Sequence, residues 1–228
     1  MNPALQQAIE KVYTTFRDIP RPRTIVGCPH CLERGDVRRF LDVFRQQPLS
    51  EILADDIRIY AYKAITTIGC PEDFLYFLPR ILELEADGSL SVEPEILADK
   101  IAVAGFESWS NEWRDAILNW MDAIFDDVLQ VDQTGSDVDA WLCVLGRVRV
   151  DLEPYLERLL HTGPTLINVF EHNAMSLEQG SLSNVFWDYV PETKRLVIDW
   201  FASARTKSAI DEQYGVMWNV DPKSLRPS

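Results

Sequence analysis

Apolar residues recur at spacings of three and four along almost the whole chain, which is the pattern of helices that bury one face. Strict alternation of apolar and polar residues, the pattern of a half-buried strand, is not convincing anywhere in the sequence. We therefore predict an all-α protein whose helices are joined by short loops. The predicted helices cover residues 3–16, 31–44, 74–85, 111–129, 136–148, 152–161, 164–175 and 185–204, and two more begin at Ser50 and Pro94.

One stretch of sequence recurs 44 residues further along the chain. Ser50-Glu-Ile-Leu-Ala-Asp-Asp-Ile57 returns as Pro94-Glu-Ile-Leu-Ala-Asp-Lys-Ile101, and a second predicted helix follows each copy. A helix pair of about 40 to 47 residues is the period of HEAT and armadillo repeats. The recurrence predicts an α–α superhelix, a short HEAT-like solenoid of about four helix pairs. Three further pairs are expected to occupy equivalent core positions: Ile59 with Val103, Ala61 with Gly105, and Tyr62 with Phe106.

The predicted domain organisation follows from this repeat. Because repeat units contact mainly their neighbours, a chain of 228 residues needs no second core. We predict one all-helical domain over 1–228, with helices and a cysteine-containing loop over 1–48, stacked helix pairs over 49–214 and a loose tail over 215–228. Pro79 lies inside an apolar helical stretch and is expected to kink or interrupt that helix.

The chain is strongly acidic. It has 36 Asp and Glu residues against 22 Lys and Arg, a formal net charge of −14, so direct nucleic-acid binding is not expected. A protein partner should be basic rather than acidic. The first residues lack the apolar run of a secretory signal, and no segment approaches the roughly 18 consecutive apolar residues of a membrane span. We expect a cytoplasmic protein with no membrane partner.

The most specific motif is Cys28-Pro29-His30-Cys31. Two cysteines separated by two residues can close a small redox ring or supply half of a zinc site. A closed zinc site needs four ligands, so His30 and a further cysteine, histidine or carboxylate would have to complete it. The four letters also match the active-site tetrapeptide of bacterial thiol oxidases of the thioredoxin fold, but the βαβ pattern of that fold is not found. A metal site, a redox site and an inert pair of thiols all stay open.

The predicted helix 111–129 has one apolar and one acidic stripe. The apolar stripe is expected to face the core. Neighbouring carboxylates on the other stripe raise the local negative potential, so that stripe is either a docking face for a basic partner or a solvated surface. The residues of the acidic stripe are Glu112, Asp115, Asp122 and Asp126.

Four stretches between residues 28 and 85 resemble a bacterial family of all-helical, HEAT-like proteins that has no known activity. They are the Cys-x-x-Cys loop, a Pro-Leu-Ser-Glu helix entry, a Tyr-Ala-Tyr-Lys-Ala segment and a Phe-Leu-Pro-Arg-Ile-Leu-Glu helix: 28–31, 48–51, 60–64 and 77–83. The resemblance implies that this part of the chain is a recurrent module. It brings no substrate, cofactor or site residue with it.

The functional hypotheses rest on these features. The sequence contains no Ser-His-Asp spacing, glycine-rich phosphate loop or His-Glu-x-x-His motif, which argues against an enzyme. The leading hypothesis is a non-catalytic protein–protein interaction scaffold that binds a basic partner. One specific form is an immunity-like inhibitor of a cationic toxin. The alternative is a metal-binding or thiol-redox protein that uses Cys28 and Cys31, with zinc as the candidate cofactor.

Overall fold

A computed structural model describes residues 2–218, and its regular elements over that range are all helices, which confirms the all-α prediction. Three short 3-10 helices lie at Leu49–Glu51, Phe106–Ser108 and Val185–Tyr189. The α-helices are α1 Pro3–Phe16, α2 Pro29–Leu32, α3 Gly35–Gln46, α4 Ala54–Lys63, α5 Pro71–Ala86, α6 Pro94–Val103, α7 Asn111–Val131, α8 Ser136–Arg147, α9 Glu153–Leu160, α10 Pro164–Leu177, α11 Pro191–Ala202 and α12 Ala204–Trp218.

Helix starts follow the local chemistry of the sequence. Asn2 caps α1, its side-chain oxygen accepting the Leu5 N–H at 2.8 Å. Asp73 caps α5, its carboxylate accepting the Cys70 N–H at 3.0 Å. Each side chain satisfies a backbone donor that the first turn of a helix leaves without a partner. Proline occupies the first position of both helices, where the missing N–H removes no helical bond.

Two predicted helices are divided in the structure. The predicted helix 31–44 is replaced by α2 and α3, because Arg34 is extended and ends the first turn before Gly35 begins the next helix. The predicted helix 185–204 becomes a 3-10 helix and α11, and α12 then begins after an extended Ser203. The Ser203 hydroxyl accepts the Thr206 N–H at 3.2 Å and so caps the new helix.

Helix α12 extends four residues into the segment 215–228 that is predicted to be a loose tail. Residues 215–218 form the last turn of α12, and residues 219–228 lie outside the described residues. Of the two effects expected at Pro79, the interruption is wrong, and the kink stays a prediction. Helix α5 continues through this residue over 16 positions, with the proline ring buried. Burial among other helices compensates for the one backbone bond that proline cannot make.

The recurring segment does not repeat in structure over its whole length. In the first copy, Ile52 and Leu53 are extended and α4 begins only at Ala54, whereas the second copy is helical from Pro94. Ile52 is buried and its carbonyl accepts the Arg80 Nε–H at 2.8 Å, which holds the first copy out of a helix.

The expected equivalence of the later pairs is also wrong. Helix α4 continues to Lys63, whereas α6 ends at Val103, so Tyr62 lies in a helix while its expected counterpart Phe106 lies in the following 3-10 helix. Tyr62 is 50% exposed whereas Phe106 is 3% exposed, and Val103 lies at the surface. The two copies therefore share the buried positions Ile57 and Ile101, but the later pairs are not equivalent in the core.

Contacts along the chain define two compact units, residues 1–127 and 128–228. In the first, α4 contacts α3, α5 and α6, and α1 contacts α5. An aromatic cluster forms part of its core, with Phe40 stacked on Tyr60 at 4.6 Å and Phe77 edge-on to both. In the second, α8 contacts α10 and α11, and α12 contacts α10 and α11. The single domain over 1–228, with boundaries at 48 and 214, stays a prediction. Over the described residues, none of the helices is both long and apolar enough to cross a bilayer.

Candidate functional site

A line of carboxylates follows one side of α7. Glu112, Asp115 and Asp122 are exposed, and Asp126 is half-buried. Their spacings of three, seven and four residues keep them on one side of a helix with 3.6 residues per turn. We name these four residues the α7 stripe. The other side of the helix is apolar and buried at Ile117, Trp120 and Ile124.

The α7 stripe is carried by a helix that is anchored at both ends of the stripe. Near its start, Trp113 packs on Phe16 of α1 with ring centroids 5.0 Å apart, and Trp109 lies 6.0 Å from both rings. Near its end, the Asn2 side-chain amide donates to Asp127 at 2.8 Å. The carboxylates therefore stand on a helix whose orientation is set by α1 rather than on a mobile loop.

The second candidate region is the loop that contains Cys28, His30 and Cys31. Its backbone lies against the turn after α4, where Gly27 and Ile68 form an isolated antiparallel bridge. The Cys28 N–H donates to the Thr67 carbonyl at 2.9 Å, and the Gly69 N–H donates to the Val26 carbonyl at 2.6 Å. This pairing places the first cysteine beside residues 65–70, which sequence spacing alone does not indicate.

The two cysteines of the motif differ in exposure and environment. Cys28 is exposed, Cys31 is half-buried and His30 is exposed. Hydrogen bonds from the backbone N–H groups of Cys31 and His30, and from the Cys31 thiol, lower the pKa of the Cys28 thiol, and the nearby Lys63 ammonium acts in the same direction. An exposed thiol with a lowered pKa is the reactive kind, because the thiolate is the nucleophile.

A third cysteine lies on the same cleft with the opposite character. The cleft has a volume of about 520 Å³ and is lined by residues 24, 26–28, 65–67, 69, 70 and 73, including Cys28 and Cys70. Partial burial, and a hydrogen bond with Glu72, raise the pKa of Cys70. The hydroxyl of Tyr60 is buried behind Gly69 and has no hydrogen-bond partner among the described residues. The cleft, which we name the cysteine cleft, thus presents one activated and one deactivated thiol.

The metal hypothesis receives no additional ligands from the fold. Among the described residues, His, Cys, Asp and Glu side chains do not form a group of three or more placed to hold a metal ion. Cys28, His30 and Cys31 lie on one turn, whereas Cys143 is buried in the second unit. Zinc binding by the motif stays a prediction.

A groove of about 310 Å³ in the second unit was not identified from the sequence. Leu156, Leu196 and Trp200 give it an apolar lining, and Asp151 and Glu153 add carboxylates. Glu157, which also lines it, accepts from Arg205 at 2.5 Å and contacts His161 at 3.0 Å. The carboxylates come from the start of α9 and the tryptophan from α11, so only their folded arrangement reveals the groove.

The chain matches no protein-family model, and no curated protein or solved structure is significantly similar to it.

Proposed function

We propose that this chain is a non-catalytic binding protein that docks a basic partner protein on the α7 stripe. The observation that carries the proposal is the set of carboxylates that α7 holds along one face, three of them exposed. Clustered charges of one sign attract a partner of the opposite sign and accelerate its encounter. The net charge of −14 supports a basic partner and opposes direct nucleic-acid binding.

The HEAT-like arrangement, the bacterial family and the cytoplasmic location are further parts of this proposal. A HEAT-like stack of helix pairs would supply an extended surface around the stripe, and the contact of α4 with α5 supports one such pair. Membership of the resembling bacterial family, and a cytoplasmic location, are consistent with this function. The groove beside Trp200 adds a second surface where an apolar floor and carboxylates suit a lysine or arginine side chain.

An immunity-like protein that masks a cationic toxin is the specific form that we propose for this function. Its support is the charge complementarity between a chain of net charge −14 and a basic protein. The corresponding experiment measures the activity of a basic toxin nuclease with and without the purified chain. Inhibition that disappears at high salt is expected, whereas undiminished toxin activity at stoichiometric excess would contradict this form.

Charge reversal at Glu112, Asp115 and Asp122 is expected to weaken capture of a basic probe protein by at least about tenfold at low salt, because each lost attraction becomes a repulsion. Asp126 is left unchanged because it is half-buried. Cytochrome c is a suitable probe, since acetylation of its lysines supplies a matched partner without the positive charge. Titration calorimetry at two salt concentrations measures the effect.

The matched control reverses three exposed carboxylates elsewhere in the first unit, Glu10, Glu33 and Glu51. It changes the net charge by the same amount, so it separates a specific docking face from general attraction to an acidic protein. Equal losses in the two triple variants would show that the α7 stripe has no special role.

The zinc alternative is distinguished by metal analysis of the purified chain. If Cys28, His30 and Cys31 belong to a structural site, about one zinc per chain is expected, because four-ligand sites bind tightly, and Cys28→Ser should remove it. A chain purified without chelators that contains no zinc and takes up none on titration would rule this alternative out.

A further inference from the structure

The cysteine cleft has no part in the proposed docking of a basic protein, yet its first cysteine is held by a specific backbone arrangement. The Cys28 N–H is bonded to Thr67, and the Cys28 carbonyl accepts the N–H groups of Cys31 at 2.9 Å and Leu32 at 3.0 Å. Gly27 permits this close approach, since an added Cβ would lie 2.5 Å from the Thr67 carbonyl oxygen. Both the N–H and the carbonyl of Cys28 are therefore hydrogen-bonded, which fixes the position of the backbone from which its thiol extends.

The thiols of the motif are close enough to interact. Cys31 follows Cys28 by three residues on a single helical turn, and its thiol is hydrogen-bonded to the Cys28 sulfur. Side chains three residues apart on a helical turn are neighbours, and a disulfide needs Cα atoms within about 7 Å. Cys28 is exposed and lines the cleft, whereas Cys31 is half-buried, so an external molecule reaches Cys28 more readily.

The two cysteines that line the cleft differ in their electrostatic surroundings. Donated hydrogen bonds and the Lys63 charge lower the pKa of Cys28, whereas partial loss of solvent and a hydrogen bond with Glu72 raise the pKa of Cys70. Both cysteines are exposed and both line the cleft. Access alone therefore does not distinguish them, and a difference in their reactivity would report the local environment of each thiol.

We infer that Cys28 and Cys31 form a reversible dithiol–disulfide centre that reacts with a disulfide entering the cysteine cleft. The Cys28 thiolate attacks one sulfur of the disulfide, forming a mixed disulfide and releasing one thiolate. The Cys31 thiol loses its proton to that leaving thiolate and attacks the Cys28 sulfur, forming the Cys28–Cys31 disulfide and releasing a second thiolate, which takes up a proton from water. Two electrons pass from the two cysteines to the substrate, whose disulfide becomes two thiols.

The substrate disulfide can come from a small molecule or from a peptide, and the cleft of about 520 Å³ is open to both. Two probes distinguish these sources. Oxidised glutathione represents the small disulfide, and insulin represents a peptide disulfide. The faster reaction identifies the source, and failure of both probes to react overturns the inference.

The experiment uses the full chain, reduced and then exposed to each probe. Trypsin cleaves after Arg23 and Arg34, so both cysteines of the motif fall in the peptide 24–34, while Cys70 falls in the peptide 64–80. The peptide 24–34 is expected to lose two hydrogens as its disulfide closes. In Cys31→Ser, the mixed disulfide at Cys28 should accumulate, and in Cys28→Ser the peptide should stay reduced. Cys143→Ala is the matched control, because Cys143 is buried in the second unit and takes no part in the cleft, and it should behave like the unmodified chain.

Alkylation of the reduced chain gives a second measurement that needs no disulfide. Cys28 is expected to react at least about tenfold faster than Cys70 near neutral pH, since the reactive fraction is the thiolate. Equal alkylation of the two peptides, or a Cys31→Ser variant in which no mixed disulfide accumulates, would overturn the inference. Docking at the α7 stripe should be unchanged in Cys28→Ser, so the two proposals fail separately.

Discussion

Replacing Asp139 with alanine is expected to lower the free energy of unfolding of the second unit by about 2–4 kcal/mol, because it leaves buried donors without an acceptor. Asp139 is 1% exposed on α8. Its carboxylate accepts from the Asn173 amide at 3.0 Å and from the Trp187 indole N–H at 3.1 Å. The carboxylate thereby joins α8, α10 and the 3-10 helix Val185–Tyr189. Urea unfolding followed by circular dichroism measures the change.

The consequences of removing Asp139 extend through Asn173. This side chain is fully buried, and its carbonyl oxygen accepts the Ser183 N–H at 2.8 Å, which fixes the loop after α10. Burial raises the pKa of Asp139, and the hydrogen bonds from Asn173 and Trp187 partly oppose that rise. A buried carboxylate that loses its hydrogen-bond partners lowers the free energy of unfolding. Asp139 and Asn173 therefore stabilise the second unit only while their hydrogen bonds stay connected.

Two variants separate this network from general effects of substitution on α8. Asp139→Asn keeps one acceptor oxygen and should be less destabilising than Asp139→Ala. Asp137→Ala, at an exposed position two residues earlier on α8, should change the unfolding free energy by no more than about 0.5 kcal/mol. If both alanine variants lost the same stability, the buried network would not be the source of the effect.

The sequence predicted helices well where a cap and an apolar stripe agreed. Helix α1 begins and ends at the predicted residues, with Asn2 capping it. The division of 31–44 was not predictable from apolar spacing, because Val37, Phe40 and Phe44 belong to α3 alone and the turn before it contributes no buried side chain. The break depends on the backbone of Arg34, and periodicity contains no information about a single extended residue.

The candidate sites were predictable to different degrees. Spacing within one helix predicted which carboxylates share the α7 stripe, since a helix fixes the direction of each side chain. The sequence predicted only part of the cysteine cleft. The motif identifies Cys28 and Cys31, but the contacts with Thr67 and the approach of Lys63 and Cys70 depend on a bridge between segments about 40 residues apart.

The sequence similarity between the two copies did not predict where each helix begins, and the reason is physical. A helix start depends on a few residues at its N-terminus, and Ser50 and Pro94 differ there. The buried Ile52, whose carbonyl binds Arg80, gives the first copy a stable alternative to helix. The matching residues therefore form a helix in both copies only from Ala54 onward. The two copies also differ in which of their positions are buried.

Glu85 on α5 is expected to make the stability of the first unit fall as the pH rises. Burial raises the pKa of this carboxyl to about 8, and the neighbouring acids Glu95, Asp87 and Glu93 add to the rise. The ordinary pKa of a glutamate carboxyl, which applies when the chain is unfolded, is 4.5. Between these values the folded state holds a proton that the unfolded state lacks, so unfolding releases a proton and becomes more favourable with increasing pH.

The stabilising contribution is fully present below about pH 4.5 and is lost as the pH rises through about 8. One bound proton corresponds to at most about 1.4 kcal/mol per pH unit. Glu85→Gln removes the titrating group and keeps its shape. The difference in unfolding free energy between this variant and the unmodified chain should therefore shift in favour of the variant from about pH 5 to about pH 8. Urea unfolding at intermediate pH values gives the slope.

Glu10→Gln is the matched control, because Glu10 is an exposed glutamate in the same unit. Its unfolding free energy should follow that of the unmodified chain at every pH, because substitutions at exposed surface positions change stability little. Other acidic groups titrate in all three proteins and cancel in the comparison. Parallel curves for Glu85→Gln and the unmodified chain would show that the folded protein does not hold the additional proton at Glu85, and the acidic surroundings of α5 would then need a different explanation.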